Sequence, residues 1–197
     1  MMFRIGLTGS IGMGKSTTAQ MFVDEGCALW DADAAVHRLY AEGGAAVVPL
    51  AQLFPEVVQE GVIARDALRA VIARDPGALG AIEKIVHPLV AKDRADFMAV
   101  TDADIVVLDI PLLFETGGEA QVDAVVCVSV EPEVQKARVL ARGTMQEADF
   151  DRILAKQIPN AEKCARSDYV IQTDTLEHAR AQVQDIVRQI RETKTHA

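Results

Sequence analysis

The chain is poor in cysteine, holds a single asparagine and has no long apolar run, and each shortage narrows what it can be. Its three cysteines, Cys27, Cys127 and Cys164, are odd in number and far apart in sequence, without a C-x-x-C or a zinc-ligand spacing. They do not read as a disulfide framework or a zinc site; each is expected to be a small buried apolar side chain in a reducing compartment. No stretch approaches the roughly 18 apolar residues of a membrane helix. Arg4 and a glycine-rich loop stand where a signal peptide needs its apolar segment, so a cytoplasmic protein without membrane contact is expected. Basic charge is scarce too: 20 Lys and Arg against 29 Asp and Glu leave a net charge of −9. Such a chain can hold a polyanion only through a few local groups, which weighs against a nucleic-acid groove with its broad basic stripe. The lone asparagine lies in Asn160-Ala161-Glu162-Lys163, which is not the N-K-x-D that reads guanine, and no D-x-x-G occurs. Asp109 is followed by Ile rather than Glu, so the acidic pair of many ATP-driven motors is missing. Internal repeats and low-complexity tracts are absent as well.

What is present begins at the amino end. Gly9 to Ser16 read GSIGMGKS, a full match to G-x-x-x-x-G-K-S/T, with the apolar run Phe3 to Leu7 leading into it. Glycines let the backbone wrap until successive N–H groups point at phosphate oxygens, and the following helix adds the positive end of its dipole. Gly12, Met13, Gly14, Lys15, Ser16 and Thr17 are the candidate nucleotide-binding residues. Lys15 can reach the β- and γ-phosphates, and the Ser16 hydroxyl suits Mg²⁺. The bland alternative is a glycine-rich strand-to-helix turn.

With 197 residues, 50% apolar and 25% charged, the chain can bury a proper core as one domain or one domain with an inserted lobe. Apolar β-type runs alternate with helical patterns, which predicts an α/β fold of the P-loop NTPase type: three α/β/α layers around a five-stranded parallel sheet. The expected strands are Phe3–Leu7, Ala28–Asp31, Ile105–Asp109, Ala124–Val130 and Tyr169–Gln172. About Ala34 to Asp102 shows helical periodicity and no convincing strand, and reads as an inserted helical lobe for a second substrate. A second insertion holds a helix from Pro132 to Gly143 and another to about Gln157, opened by a Thr144-x-x-Glu147 capping box and ended by Pro159. The last helix, about Thr175 to Glu192, places Leu176, Ala179, Val183, Ile186, Val187 and Ile190 on one stripe against the sheet. The expected partition is a core of 1–33, 103–131 and 167–197, an acceptor lobe of about 34–102 and a lid of about 132–166.

Several charged residues stand where chemistry could use them. Asp31 and Asp33 close the second strand and, in extended geometry, project together near the sheet's C-terminal edge, where ligands bind in open α/β sheets. One of them could take a proton from a substrate hydroxyl or hold magnesium-bound water; the alternative for Asp33 is a helix N-cap. Asp109 ends a buried apolar strand and calls for a cation, Mg²⁺ being the natural one beside a phosphate loop; the alternative is a loop-capping Asp. Arg138 and Arg142 lie four apart on one helix face, and Arg152 and Lys156 repeat that spacing on the next. They could form a lid that closes over ATP, or simply a solvated face. His87, before Pro88, reads by itself as structural, and Arg65 carries no signal.

At this point the chain resembles a known family, dephospho-coenzyme A kinase. The matching segments are Leu7 to Ser16, Asp31-Ala32-Asp33, Ile85-Val86-His87-Pro88, Leu108-Asp109-Ile110-Pro111-Leu112-Leu113-Phe114-Glu115, Arg138 to Arg142, and Arg152 to Gln157. They occur in the family's order and cover nearly the whole chain. The resemblance implies transfer of the ATP γ-phosphoryl group, with Mg²⁺, to the ribose 3′-hydroxyl of dephospho-coenzyme A. It casts Asp33 as general base, Lys15 and the Gly12–Thr17 backbone as phosphate holders, and Ser16 with Asp109 as the metal site. Arg142 with Arg138 becomes the lid pair, and His87 with Leu112–Glu115, notably Leu112 and Leu113, borders the acceptor. One departure concerns the adenine contacts: after Tyr169-Val170-Ile171 the family often continues with asparagine and glycine, whereas Gln172-Thr173-Asp174 stands here. The competing readings are a kinase for another small or nucleoside monophosphate acceptor, and a nucleotide-binding switch that transfers nothing. A monomer is expected, with a small homo-oligomer as the alternative.

Overall fold

From the amino end, the chain forms β1 (Phe3–Thr8), α1 (Lys15–Asp24), β2 (Ala28–Asp31), α2 (Ala32–Tyr40), α3 (Val47–Leu53), β3 (Val58–Gln59), β4 (Val62–Ile63), α4 (Arg65–Arg74) and α5 (Ala78–Val100). There follow β5 (Ile105–Asp109), β6 (Ala124–Ser129), α6 (Pro132–Ala141), α7 (Glu147–Lys156), α8 (Asn160–Ala165), β7 (Tyr169–Gln172) and α9 (Leu176–Thr195). The computed structural model describes residues 2–195; residue 1 and residues 196 and 197, the end of the expected core range, lie outside the described residues.

The five expected strands join one sheet in the order β2-β5-β1-β6-β7. The β1·β5, β1·β6 and β6·β7 pairs are parallel. β5 is buried at every position, as its unbroken Ile-Val-Val-Leu run requires of a strand covered on both faces. Chain order reverses across β1, whose neighbours are β5 and β6, and such a switch point opens a crevice at the C-terminal strand ends. Register brings the chemistry there: Leu7 pairs with Asp109 and Thr8 with Cys127, so the phosphate loop, Asp109 and the end of β6 share one edge.

The chain divides into two compact units, Met1–Trp30 with Asp102–Ala197, and Asp31–Thr101. In the first, Ile5, Leu7, Phe22, Val107, Val126 and Val183 belong to one buried cluster joining the sheet to α1 and α9. The second has its own core, including Leu39, Leu50, Val57, Ile63, Val71 and Ile82.

Three local expectations are corrected. The second unit is not wholly helical: β3 and β4 pair as an antiparallel hairpin. Its two-residue turn, Glu60-Gly61, has both residues at positive φ (50° and 81°), the requirement of a type I′ turn. The Thr144–Glu147 capping box does not form. Helix α7 starts at Glu147 after Gln146, with no side-chain cap, and the Glu147 carboxylate instead pairs with Lys136 on α6. Leu176 leaves the expected α9 stripe and is 68% exposed, because it stands at the helix's first turn, ahead of the packed face.

Candidate active site

The phosphate loop follows directly from the strand that carries it. After Thr8 the chain passes through Gly12 (φ 78°) and Gly14 (φ 86°), left-handed conformations that a Cβ would strain. Space forbids a side chain at Gly12 as well: an added Cβ would lie 2.5 Å from Val139 Cγ2 on α6. Gly14 is the N-cap of α1 and is left-handed, so the first N–H groups of that helix lie beyond the loop, where the dipole favours an anion. Side chains from distant segments brace the loop. Gln135 Nε2 donates to the Ile11 carbonyl at 2.7 Å, and the Ser10 N–H donates to Asn160 Oδ1 at 3.1 Å. Thr173 Oγ1 donates to the Met13 carbonyl at 2.6 Å. Met13 is itself buried, its sulfur accepting from the Val130 N–H at 3.2 Å, so it can offer a ligand only main-chain atoms.

The Lys15 ammonium is ion-paired with the Asp109 carboxylate, with side-chain exposures of 17% and 3%. This satisfies the expectation that an acid ending a buried strand needs a cation, although the cation is here the loop lysine. Ser16 and Thr17 lie exposed on the first turn of α1. Beside them opens a cleft of about 210 Å³ lined in part by Gly14, Thr17, Arg138, Arg142, Thr173 and Leu176. Both expected lid arginines therefore converge on the cleft next to the loop. Arg138 is held in place, donating to the Thr173 carbonyl at 2.5 Å and to its hydroxyl at 3.2 Å. Arg142 caps the end of α6 and is exposed. Arg152 pairs with Asp149 at 3.0 Å on the solvent side of α7.

On the second unit, the strand geometry foreseen for the Asp31/Asp33 pair does not hold. β2 ends at Asp31, and the chain turns helical at Ala32, so the two carboxylates do not alternate along one strand. Asp31 is the N-cap of α2, its side chain accepting from the Ala34 N–H at 2.8 Å. The capping job is thus filled, and Asp33 lies exposed in the helix's first turn. His87 is exposed within α5, beside the interior Pro88.

The segment after β5 differentiates its residues. Leu112 is 43% exposed. Leu113 is fully buried, packed with Phe114 and Val125, so it supports the segment from inside and cannot border a ligand with its side chain as expected. Glu115 accepts from the Ile158 N–H at 3.1 Å and is ion-paired at 2.8 Å with Lys163, whose side chain has no solvent exposure. Burial pushes the Glu115 carboxyl up, but Lys163 and the N–H groups of Glu115 and Ile158 outweigh it and hold the carboxyl below its ordinary value. The stabilisation from that charge is full above the unfolded carboxylate value and is lost as pH falls through the lowered folded value. Glu115→Gln is expected to cost about 3–5 kcal/mol at neutral pH, the usual cost of removing one partner of a buried pair. Thermal melts should show this gap closing as pH falls from the ordinary glutamate range through the lowered folded value, where the wild-type carboxylate is protonated. Melting curves that stay equally separated would contradict the role of the charge.

Gln135, Asn160 and Thr173 brace the loop but were not recognisable from the sequence, since none lies in a pattern that marks its partner. The donor set suits Mg²⁺: the Ser16 hydroxyl and the Asp109 carboxylate are hard oxygen ligands. No cluster of three or more His, Cys, Asp or Glu that could hold a metal occurs among the described residues, and no helix among them is long and apolar enough to cross a membrane.

The chain is similar to known proteins along nearly its whole length. The family model described as dephospho-CoA kinase matches residues 3–178. A dephospho-CoA kinase of Ruegeria pomeroyi is 71% identical over 197 residues, covering 100% of both chains. A solved structure from Thermus thermophilus superposes with a TM-score of 0.86 at 31% identity, covering 95% of this chain and 97% of that one. The dephospho-CoA kinase of Campylobacter jejuni, at 22% identity and a TM-score of 0.73 over 98% of this chain and 100% of its own, shares the fold. Phosphate loop, paired lysine and flanking arginines thus stand in a chain that belongs to the dephospho-CoA kinase family, whose members are ATP-dependent phosphotransferases.

Proposed function

We propose that this chain carries out its family's reaction through Lys15, Ser16, Asp33, Asp109, Arg138 and Arg142, acting on Mg-ATP as a cytoplasmic monomer. The reaction moves the γ-phosphoryl group of ATP to the ribose 3′-hydroxyl of dephospho-coenzyme A, giving coenzyme A and ADP, the last step of coenzyme A synthesis. The observation that carries the reading is the braced loop with its lysine against Asp109 and two arginines on the adjoining cleft.

Phosphoryl transfer needs alignment and charge stabilisation more than covalent help from the protein. The N–H groups of Gly12 to Thr17 hold the phosphates, and Lys15 exchanges its contact with Asp109 for the β- and γ-oxygens. Ser16, with Asp109, would hold Mg²⁺, which when bound spreads and neutralises phosphate charge. Arg142 is the mobile arginine and Arg138 the fixed one, since Thr173 already orients it. Together with α7 they form a lid that excludes water from the transferring group. Asp33 orients the acceptor hydroxyl and takes its proton, and His87 and Leu112 border that substrate. The acceptor lobe spans about 34–102 and the lid about 132–166.

The test is purified protein with Mg-ATP and a panel of alcohols: dephospho-coenzyme A, shikimate and nucleoside monophosphates. ADP and a phosphorylated product are expected with dephospho-coenzyme A alone. ADP without any phosphorylated acceptor would contradict the reading.

A further inference from the structure

Cys127 and Cys164 are 37 residues apart in sequence, yet their sulfurs lie 3.6 Å from each other. Cys127 is fully buried on β6, opposite Thr8, the last residue before the phosphate loop. Cys164, expected to be buried, is only partly so; it sits on α8, at the surface edge. One side chain bridges both thiols and the loop. Asn160 Nδ2 lies 3.6 Å from the Cys164 sulfur, and Asn160 Oδ1 lies 3.9 Å from the Cys127 sulfur and 3.1 Å from the Ser10 nitrogen. Asn160 and Cys164 are four residues apart on the same short helix, so a shift of one carries the other.

We infer that Cys127 and Cys164 are a reversible oxidation site, closing into an intramolecular disulfide that loosens the phosphate loop through Asn160. Bonded sulfurs stand about 2.0 Å apart. Closure therefore draws Cys164 and its helix toward β6, and the Ser10 N–H loses the alignment of its acceptor. The oxidant is a small disulfide. The Cys164 thiolate attacks one of its sulfurs, forming a mixed disulfide and expelling one thiolate. Cys127 then gives up its proton and attacks the Cys164 sulfur, expelling the second thiolate. Two protein thiols are oxidised, one disulfide is reduced to two thiols, and the two protons leave with them. The order follows from access and acidity: burial, with Cys164 alongside, pushes the Cys127 thiol well above its ordinary value, while Cys164 is the one within reach of solvent.

The experiment incubates the full chain with oxidised glutathione and follows intact mass, a non-reducing peptide map and the affinity for ATP. The expected product has lost two hydrogens, carries a Cys127–Cys164 link and no adduct, and binds ATP roughly three- to tenfold more weakly, as the loss of one loop hydrogen bond implies. Dithiothreitol restores both mass and affinity. Cys164→Ser shows neither change, and Cys27, whose thiol burial pushes up to about 11, stays free. A lasting glutathione adduct on Cys164, a link through Cys27, or no reaction would overturn the site. A Cys127–Cys164 link with unchanged ATP affinity would overturn the coupling to the loop. Mass and peptide map read the bond without reference to turnover, so they stand even if the acceptor assignment fails.

Discussion

Lys15→Ala is expected to lower kcat/KM for ATP by about two to three orders of magnitude, the range seen when one preorganised electrostatic contact to a transition state is removed. The lysine lies between two anionic demands. With no nucleotide it is matched to Asp109, at the end of a strand buried on both faces. With nucleotide its charge is needed on the transferring phosphoryl group, where water is excluded and the effective dielectric is low. Alanine removes both. The loop itself should persist, because Gln135, Asn160 and Thr173 hold it from three other segments. Steady-state kinetics beside a circular dichroism melt separate the effects: a large kinetic loss with a folded variant is expected. A kcat/KM for ATP close to that of the unaltered protein would contradict the assignment of the loop.

Asp33→Asn is expected to lower kcat by about two to four orders of magnitude while leaving the Kd for ATP within about threefold, the signature of a lost general base. The substitution keeps shape and removes only the proton acceptor. Its usual complication, loss of a helix cap, does not arise, since Asp31 makes the cap bond to Ala34 and Asp33 stands free of that duty in the first turn. Calorimetry with ATP and single-turnover kinetics with dephospho-coenzyme A read the two quantities separately. Turnover like that of the unaltered protein would remove Asp33 as the base, and the acceptor alcohol would then have to lose its proton to another group.

Strands and loop were legible because their signals are local. Ile105-Val106-Val107-Leu108 is a short, β-branched apolar run of the kind a strand buried on both faces carries, and GSIGMGKS states its own turn. What stayed hidden depends on pairing over distance or on very short elements. The β3–β4 hairpin has two residues per strand, too few to alternate, and its Glu60-Gly61 turn is not one of the dipeptides that announce a type I′ turn. Asn160 was informative only as a missing guanine motif; that its amide reaches Ser10 depends on α8 lying against β6, which no period in the sequence encodes. The same packing joins Cys127 to Cys164. Asp109 was expected to meet Mg²⁺, directly or through water, and its lysine partner could be found only once β1 and β5 were in register.

The most direct test follows the phosphorus itself. Mg-ATP and dephospho-coenzyme A are turned over by the purified chain and the mixture is read by ³¹P NMR. One ADP and one new phosphomonoester, coupled to the ribose 3′ proton, should appear in equal amounts, and both should form about two to three orders of magnitude more slowly with Lys15→Ala. Inorganic phosphate in place of the ester, or an ester on any other oxygen, would contradict the transfer of the γ-phosphoryl group to that alcohol.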